Sequence, residues 1–301
     1  MAGAEMIIDG TRQMLDEKWT YWHGPRFASA LPIKWKIVDD PVDKGTVLQT
    51  DDPAAAGGKY GAADIVTKQA YRDFRLHIEF FVTAPRGNSG VYLQNRYEIQ
   101  IQEGDKTKHG MGAVINETDS PYDKFAGIGK WNAYDIVFRA ARFKDGKLVD
   151  KARVTMYFNG TKVHTNVPIQ QVWGGPNSGV DGGNDGGKGI TDSPQGLKLQ
   201  AEGHDVRYRN AWIKALDLGD ASTDFWPVGQ ASRLSLSAES RLQVRYRRDA
   251  CLQSNAGRFR SGFAIGRFRV GVRYHFRGLK TPPDVQGQAA QPNERHIHGN
   301  E

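Results

Sequence analysis

Between Tyr97 and Gln102 polar and apolar residues alternate, with Glu98, Gln100 and Gln102 opposed to Tyr97, Ile99 and Ile101. In an extended strand residues two apart project together, so a carboxylate and two amides share one face. The run just before it, 89–94, reads as a second strand that follows the turn Gly87-Asn-Ser-Gly90 and carries Tyr92 and Gln94 at alternate positions. A sheet face bearing Glu, Gln and Tyr suits a sugar, because amides and carboxylates bond hydroxyls and aromatic rings stack on the pyranose. A solvent-facing sheet surface also prefers polar residues. On these residues alone the two readings weigh about equally.

Other chemistries find less support. None of the eight histidines forms a His-Glu-x-x-His or comparable zinc spacing, and His296 and His298 fit a solvated terminal pair. There is no Gly-x-Ser-x-Gly elbow, P-loop or dinucleotide fingerprint. Cys251 is the single cysteine, which excludes an internal disulfide or a multi-cysteine zinc site. Asp181, Asn184 and Asp185 could offer oxygens to a divalent cation such as calcium. They do not follow the twelve-residue loop pattern, and solvated turn residues are the favoured reading. The sequence demands no cofactor, with a divalent cation left open.

The elements that must hold such a face are strands. Segment 72–83 alternates, with Phe74, Leu76, Ile78 and Phe80 on one face and Arg75, His77 and Glu79 on the other. Further strand runs are expected at 63–68, 133–139, 152–158, 162–166, 196–200 and 206–214. Turn residues separate them: Pro85-Arg-Gly, Asn95-Arg96, Asp145-Gly146 and, as the strongest hairpin signal, Asn159-Gly160. Residues 11–18 fit one or two turns of helix, and no longer amphipathic helix is expected. Many strands without crossover helices imply a sandwich or barrel. Two long loops, 103–131 and the glycine-rich 173–195, interrupt the strands; such loops are functional or disordered.

The chain has 301 residues, 39% hydrophobic and 25% charged, which excludes a collagen-like repeat or a mostly disordered chain. No stretch approaches the roughly 20 apolar residues of a membrane span. The net charge of +7 is unevenly placed. Residues 231–301 hold 12 Arg and 1 Lys against 5 acids, while the first 230 residues are close to neutral. Arg258, Arg260, Arg267 and Arg269 interleave with Phe259, Phe263 and Phe268, a pattern that can bind single-stranded nucleic acid. No nucleic-acid motif accompanies it, and an unselected extension is favoured. Three parts are expected: a lead-in over 1–19, a sandwich over 20–216, and a basic, low-order extension over 217–301. The first residues lack the basic start and apolar run of a signal peptide, which fits a chain that stays in the cytoplasm or one whose true start is missing. The compartment and the oligomeric state are left open.

Seven segments, in order, give a more specific reading. They are Asp64-Ile-Val-Thr-Lys68, Tyr71-Arg-Asp-Phe-Arg-Leu-His-Ile-Glu-Phe80, Gly87-Asn-Ser-Gly-Val-Tyr-Leu-Gln94 and Tyr97-Glu-Ile-Gln-Ile101. Gly129-Lys-Trp-Asn-Ala-Tyr-Asp-Ile136, Ala152-Arg-Val-Thr-Met-Tyr-Phe-Asn-Gly160, and Leu197-Lys-Leu-Gln-Ala-Glu-Gly-His204 with Val206-Arg-Tyr-Arg-Asn-Ala-Trp212 complete the set. In this order and spacing the chain resembles the 3-keto-disaccharide hydrolase domain family over about 20–216. The resemblance implies a concanavalin A-like jelly-roll β-sandwich, a 3-keto-sugar or glycan substrate, and export from the cytoplasm.

It also implies cleavage of glycosides whose sugar carries a ketone at C3. An ordinary glycosidase needs two carboxylates flanking the bond. The strand that resembles the acid-bearing strand of sandwich glucanases keeps only Glu98, with Gln100 and Gln102 where acids would sit. A C3 ketone acidifies the C2 hydrogen, so one base can remove it and expel the C1 substituent, after which water can add. Glu98, Glu202 or His204 is the expected base or acid, and Lys68 or Arg209 the stabiliser of enolate charge. Asn88, Gln94 and Gln100 would orient hydroxyls. Each has a plain structural alternative: Lys68 exposed at a strand end, Arg209 bonded to a core acid, Asn88 serving only a turn. A non-catalytic glycan-binding module on the same fold is the competing reading.

Overall fold

The computed structural model describes residues 3–22, 31–52, 62–173 and 189–225. Its strands are β1 (Glu5–Ile8), β2 (Trp19–Tyr21), β3 (Lys36–Asp39), β4 (Thr46–Gln49), β5 (Ile65–Thr67), β6 (Asp73–Val82), β7 (Asn88–Leu93) and β8 (Tyr97–Gln102). They continue with β9 (Trp131–Arg139), β10 (Arg142–Lys144), β11 (Lys147–Asp150), β12 (Arg153–Phe158), β13 (Thr161–Pro168), β14 (Lys198–Leu199) and β15 (Val206–Leu216). The helix α1 (Arg12–Lys18) is capped by the Thr11 hydroxyl, which accepts from the Met14 amide at 3.1 Å. This supplies one of the partners that a helix start lacks.

Two antiparallel sheets form the sandwich. One has eight strands in the order β13-β12-β9-β6-β15-β4-β3, with β1 also paired to β15. The other has five, in the order β2-β5-β14-β7-β8. Strand alternation decides what each face buries. Phe74, Leu76, Ile78 and Phe80 of β6 turn inward beside Tyr134, Ile136 and Phe138 of β9. The smaller sheet meets them with Val91, Leu93, Tyr97, Ile99, Ile101 and Leu199, and all belong to one core cluster. Each buried Leu, Ile or Phe contributes about 1.5–3 kcal/mol. The fold is an all-β, concanavalin A-like jelly-roll sandwich.

Asn159 and Gly160 take φ of 49° and 79°, the left-handed pair of a two-residue hairpin between β12 and β13. Asp145 and Gly146 repeat this between β10 and β11. Two details differ from the sequence reading. The stretch 87–90 is not a free turn, since β7 begins at Asn88 and Gly90 lies inside the strand. Gln94 lies beyond the end of β7 in the hairpin turn, with φ of 50°. The N-terminal residues contribute Ile7, Ile8, Leu15 and Trp19 to the core. Chain packing also continues past Leu216, where the Leu218 amide donates to Asp73 at 3.1 Å and Arg142 donates to the Gly219 carbonyl at 2.6 Å. No helix among the described residues is long and apolar enough to cross a membrane.

Candidate active site

Pairing register builds the site on the outer face of the five-stranded sheet. Lys198 of β14 stands opposite Val66 of β5 and Tyr92 of β7, and Tyr92 stands opposite Glu98 of β8. In the adjacent rung Gly90 faces Gln100, and the Gln200 amide donates to the Gly90 carbonyl at 3.0 Å. Because Val91, Ile99 and Leu199 face the core, their neighbours Tyr92, Glu98, Gln100, Lys198 and Gln200 face away from it.

These polar side chains are nevertheless buried; Glu98 is 4% exposed and Lys198 0%. The Lys198 ammonium bonds Asp64 Oδ2 at 2.6 Å and lies 3.5 Å from the centroid of the Tyr92 ring. Asp64 Oδ1 accepts the Ala201 amide at 2.9 Å, which ties the lysine's partner to the backbone. Tyr92 donates its hydroxyl to Glu98 Oε2 at 2.8 Å. Gln200 Nε2 donates to Glu202 Oε1 at 3.2 Å and to the Tyr92 hydroxyl at 3.5 Å. Glu202, Gln200, Tyr92 and Glu98 therefore form one hydrogen-bonded chain. Glu98 Oε1 is buried and accepts no hydrogen bond.

One ammonium serves three carboxylates here, and it pairs with Asp64. Burial pushes the Glu98 carboxyl up to about 7, with the nearby Asp64 and Glu202 charges adding to the rise; the Tyr92 hydrogen bond and Lys198 oppose it. Glu202 is also raised to about 7, first by burial and then by Asp64, with Lys198 working the other way. Both groups can exchange a proton near neutral pH, as acid–base catalysis requires.

Of the residues singled out from sequence, Tyr92, Glu98, Gln100 and Glu202 belong to this face. Gln100 Oε1 accepts the Ile101 amide at 3.0 Å. Asn88 starts β7 on the same side, opposite Gln102. Gln94 is buried and donates Nε2 to the Ser193 carbonyl at 3.0 Å, tying the hairpin to the end of the glycine-rich loop. His204 is exposed, with Nδ1 3.1 Å from the Thr50 carbonyl. Lys68 is exposed and donates to the Asp16 carbonyl at 2.7 Å.

Arg209 lies on the eight-stranded sheet instead. It bonds Glu79 at 2.7 Å, Asp40 at 2.5 Å and Asp43 at 2.7 Å, and lies 4.1 Å over Trp131. It lines a polar hollow of about 340 Å³ with Asp9, Lys44 and Asn210. Its charge is committed to structural carboxylates. Lys198, Asp64, Gln200 and Tyr92 complete the site in its place. All four occur in the quoted segments, and the alternation of Lys198 with Leu197 and Leu199 turns it away from the core, but nothing local marks it as facing Glu98. Asp181, Asn184 and Asp185 lie outside the described residues. Among the described residues no group of three His, Cys, Asp or Glu side chains is arranged to hold a metal ion.

Among solved structures, a protein named as a glycosyl hydrolase from Parabacteroides distasonis shares 24% identity with a TM-score of 0.53, covering 71% of this chain and 84% of its own. A second such protein from that organism shares 19% identity with a TM-score of 0.41, over 71% of this chain and 100% of its own. Domain 4 of an extracellular arabinanase from Geobacillus stearothermophilus shares 11% with a TM-score of 0.39, over 78% and 100%. The first of these likenesses is one of fold. No curated protein matches. The sequence model of the 3-keto-alpha-glucoside-1,2-lyase-like domain matches residues 5–214, most of the chain. The family marks a carbohydrate-active protein. The chain belongs to the 3-keto-alpha-glucoside-1,2-lyase-like domain family.

Proposed function

We propose that the sandwich cleaves 3-keto-glycosides by removing the C2 proton and eliminating the C1 substituent. The observation that carries this is a pair of carboxylates, the buried Glu98 and the half-buried Glu202, both raised to about 7 beside one buried ammonium. A double-displacement glycosidase wants a nucleophilic carboxylate that stays ionised and an acid that stays protonated. Two carboxyls that both exchange protons near neutrality suit proton transfer better.

Glu98 is the base. Its Oε1 has no hydrogen-bond partner, and the Tyr92 hydroxyl on Oε2 steadies the anion. It takes the C2 proton, and the C2 electron pair forms the C1–C2 double bond as the C1–O bond breaks. Glu202 protonates the departing oxygen. Lys198, rather than Lys68 or Arg209, offsets the negative charge that gathers on the ketone oxygen. Gln100, Gln200 and Asn88 supply donors for ring hydroxyls. The products are an unsaturated 3-keto sugar and a free alcohol, and water adding across the double bond completes a net hydrolysis.

The test is to incubate the protein with a 3-keto-glucoside and with the same glucoside unoxidised. Release of the alcohol from the ketone alone is the expected result. Binding of the ketone without turnover would sink the enzymatic reading and leave a glycan-binding module.

A further inference from the structure

Gly90 stands in the middle of β7, between Gln200 and Gln100 in its rung and next to the Tyr92–Glu98 rung. A glycine inside a strand is weakening by itself and marks a place where another group comes close. Here that group is a side chain. A Cβ placed on Gly90 would lie 2.2 Å from Glu98 Oε1 and 3.0 Å from Glu98 Cδ and Tyr92 Cε2. No backbone atom is among these nearest contacts. Gly10 contrasts with it, since its Cβ would meet the Thr46 carbonyl oxygen at 1.9 Å. Gly90 also lacks the positive φ that would itself require glycine. Neither backbone conformation nor backbone crowding asks for glycine at 90. The carboxyl of Glu98 does.

We propose that Gly90 is a positioning residue whose missing side chain is the space in which the Glu98 carboxyl lies, holding Oε1 buried and unpartnered toward the substrate. This rests on the reading of Glu98 as the base. Any side chain at 90 pushes the carboxyl out of that space while the strand itself can stay in place, since the conflict falls on side-chain ends.

The experiment uses Gly90→Ala in the full chain, with the Glu98 carboxyl followed by carbon NMR titration and turnover measured on a 3-keto-glucoside. The displaced carboxyl loses burial, so its titration midpoint moves to lower pH by about one unit. Because an ångström of misplacement at a reacting group is costly, kcat falls about tenfold or more, with KM changing less. A Glu98 midpoint and a kcat both unchanged in Gly90→Ala overturn the proposal. If the wild-type protein leaves the 3-keto-glucoside intact, the functional reading fails, and the titration still decides the role of Gly90. Should Gly90→Ala fold poorly, the same change is made in a Glu98→Ala background. There the space is vacant and the alanine should no longer lower the melting temperature; an equal loss in both backgrounds overturns the proposal.

Discussion

Glu98 and Glu202 perform opposite duties in the proposed elimination, and the environment of each sets the pH at which it can. The base must have lost its proton and the acid must have kept its own, while both titrate near 7. The pH–rate profile is therefore expected to be a narrow bell centred near neutrality, its limbs belonging to the coupled pair. Glu98→Gln should lower kcat by about 10²–10⁴. Glu202→Gln should remove the limb that reports its proton, seen as rates that no longer fall in the same way above pH 7. The same burial affects stability. The folded value of Glu98 lies above its ordinary 4.5, so the folded form binds the extra proton; stability is full below about 4.5 and declines as pH rises through 7. The decline amounts to at most about 3 kcal/mol. Glu98→Gln should thus raise the melting temperature at pH 8 even as it lowers kcat, and a lower melting temperature there would contradict the account. Lys198→Met leaves Asp64 as an uncompensated buried charge and should cost about 3–5 kcal/mol by denaturant unfolding.

At the scale of elements, the strands position these groups through register, and polar pairs across strands hold the register in place. On the outer face of the eight-stranded sheet, His77 of β6 stands opposite Asp135 of β9 and Trp212 of β15. Its Nδ1 is 2.8 Å from Asp135, its Nε2 is 3.5 Å from Glu79, and its ring stacks on Trp212 with centroids 5.6 Å apart. Burial opposes the imidazolium, but the hydrogen bonds and charges of Asp135 and Glu79 outweigh it and raise His77 to about 9. The folded value lies above the ordinary 6.5. This stabilisation is therefore complete below about pH 6.5 and is lost as pH rises through 9, up to about 3 kcal/mol in all. Urea unfolding at pH 6 and pH 10 should show the loss in the wild-type protein. In His77→Gln the contribution of this group to the difference should vanish. This network joins three central strands behind the core, which explains why so much charge lies on a face remote from Glu98.

For the molecule as a whole, residues 217–225 run over the outer face of the large sheet. Arg139 donates to the Ala221 carbonyl at 3.2 Å, the Thr155 and Thr223 hydroxyls meet at 2.8 Å, and Lys162 pairs with Asp224 at 2.6 Å. A chain ended after Leu216 leaves the buried Arg139 and Arg142 without these carbonyls and should melt roughly 10 °C lower than one ended after Phe225. Equal melting temperatures would show that the segment contributes nothing. The neighbouring ends of this fold were legible unequally in the sequence. Strands β6, β8, β9 and β12 stand out because alternation over six or more residues leaves few other conformations for them, and Asn159-Gly160 specifies its own turn. Strand β2, with three residues, carries too little pattern to be placed alone, whereas β14 falls inside the expected run 196–200. Glu98 and Gln100 could be assigned to one face because a strand's period is local. Lys198 and Arg209 could not be sorted between the two faces of the molecule, because which strands become neighbours depends on long-range pairing. The sequence by itself determined an all-β chain, a polar strand face around Glu98, and the family. Only the tertiary structure decided that Lys198, Asp64 and Glu202 meet Glu98, and that Arg209 is spent on acids of the opposite sheet, because proximity across strands distant in the chain is set by packing the two sheets on one core.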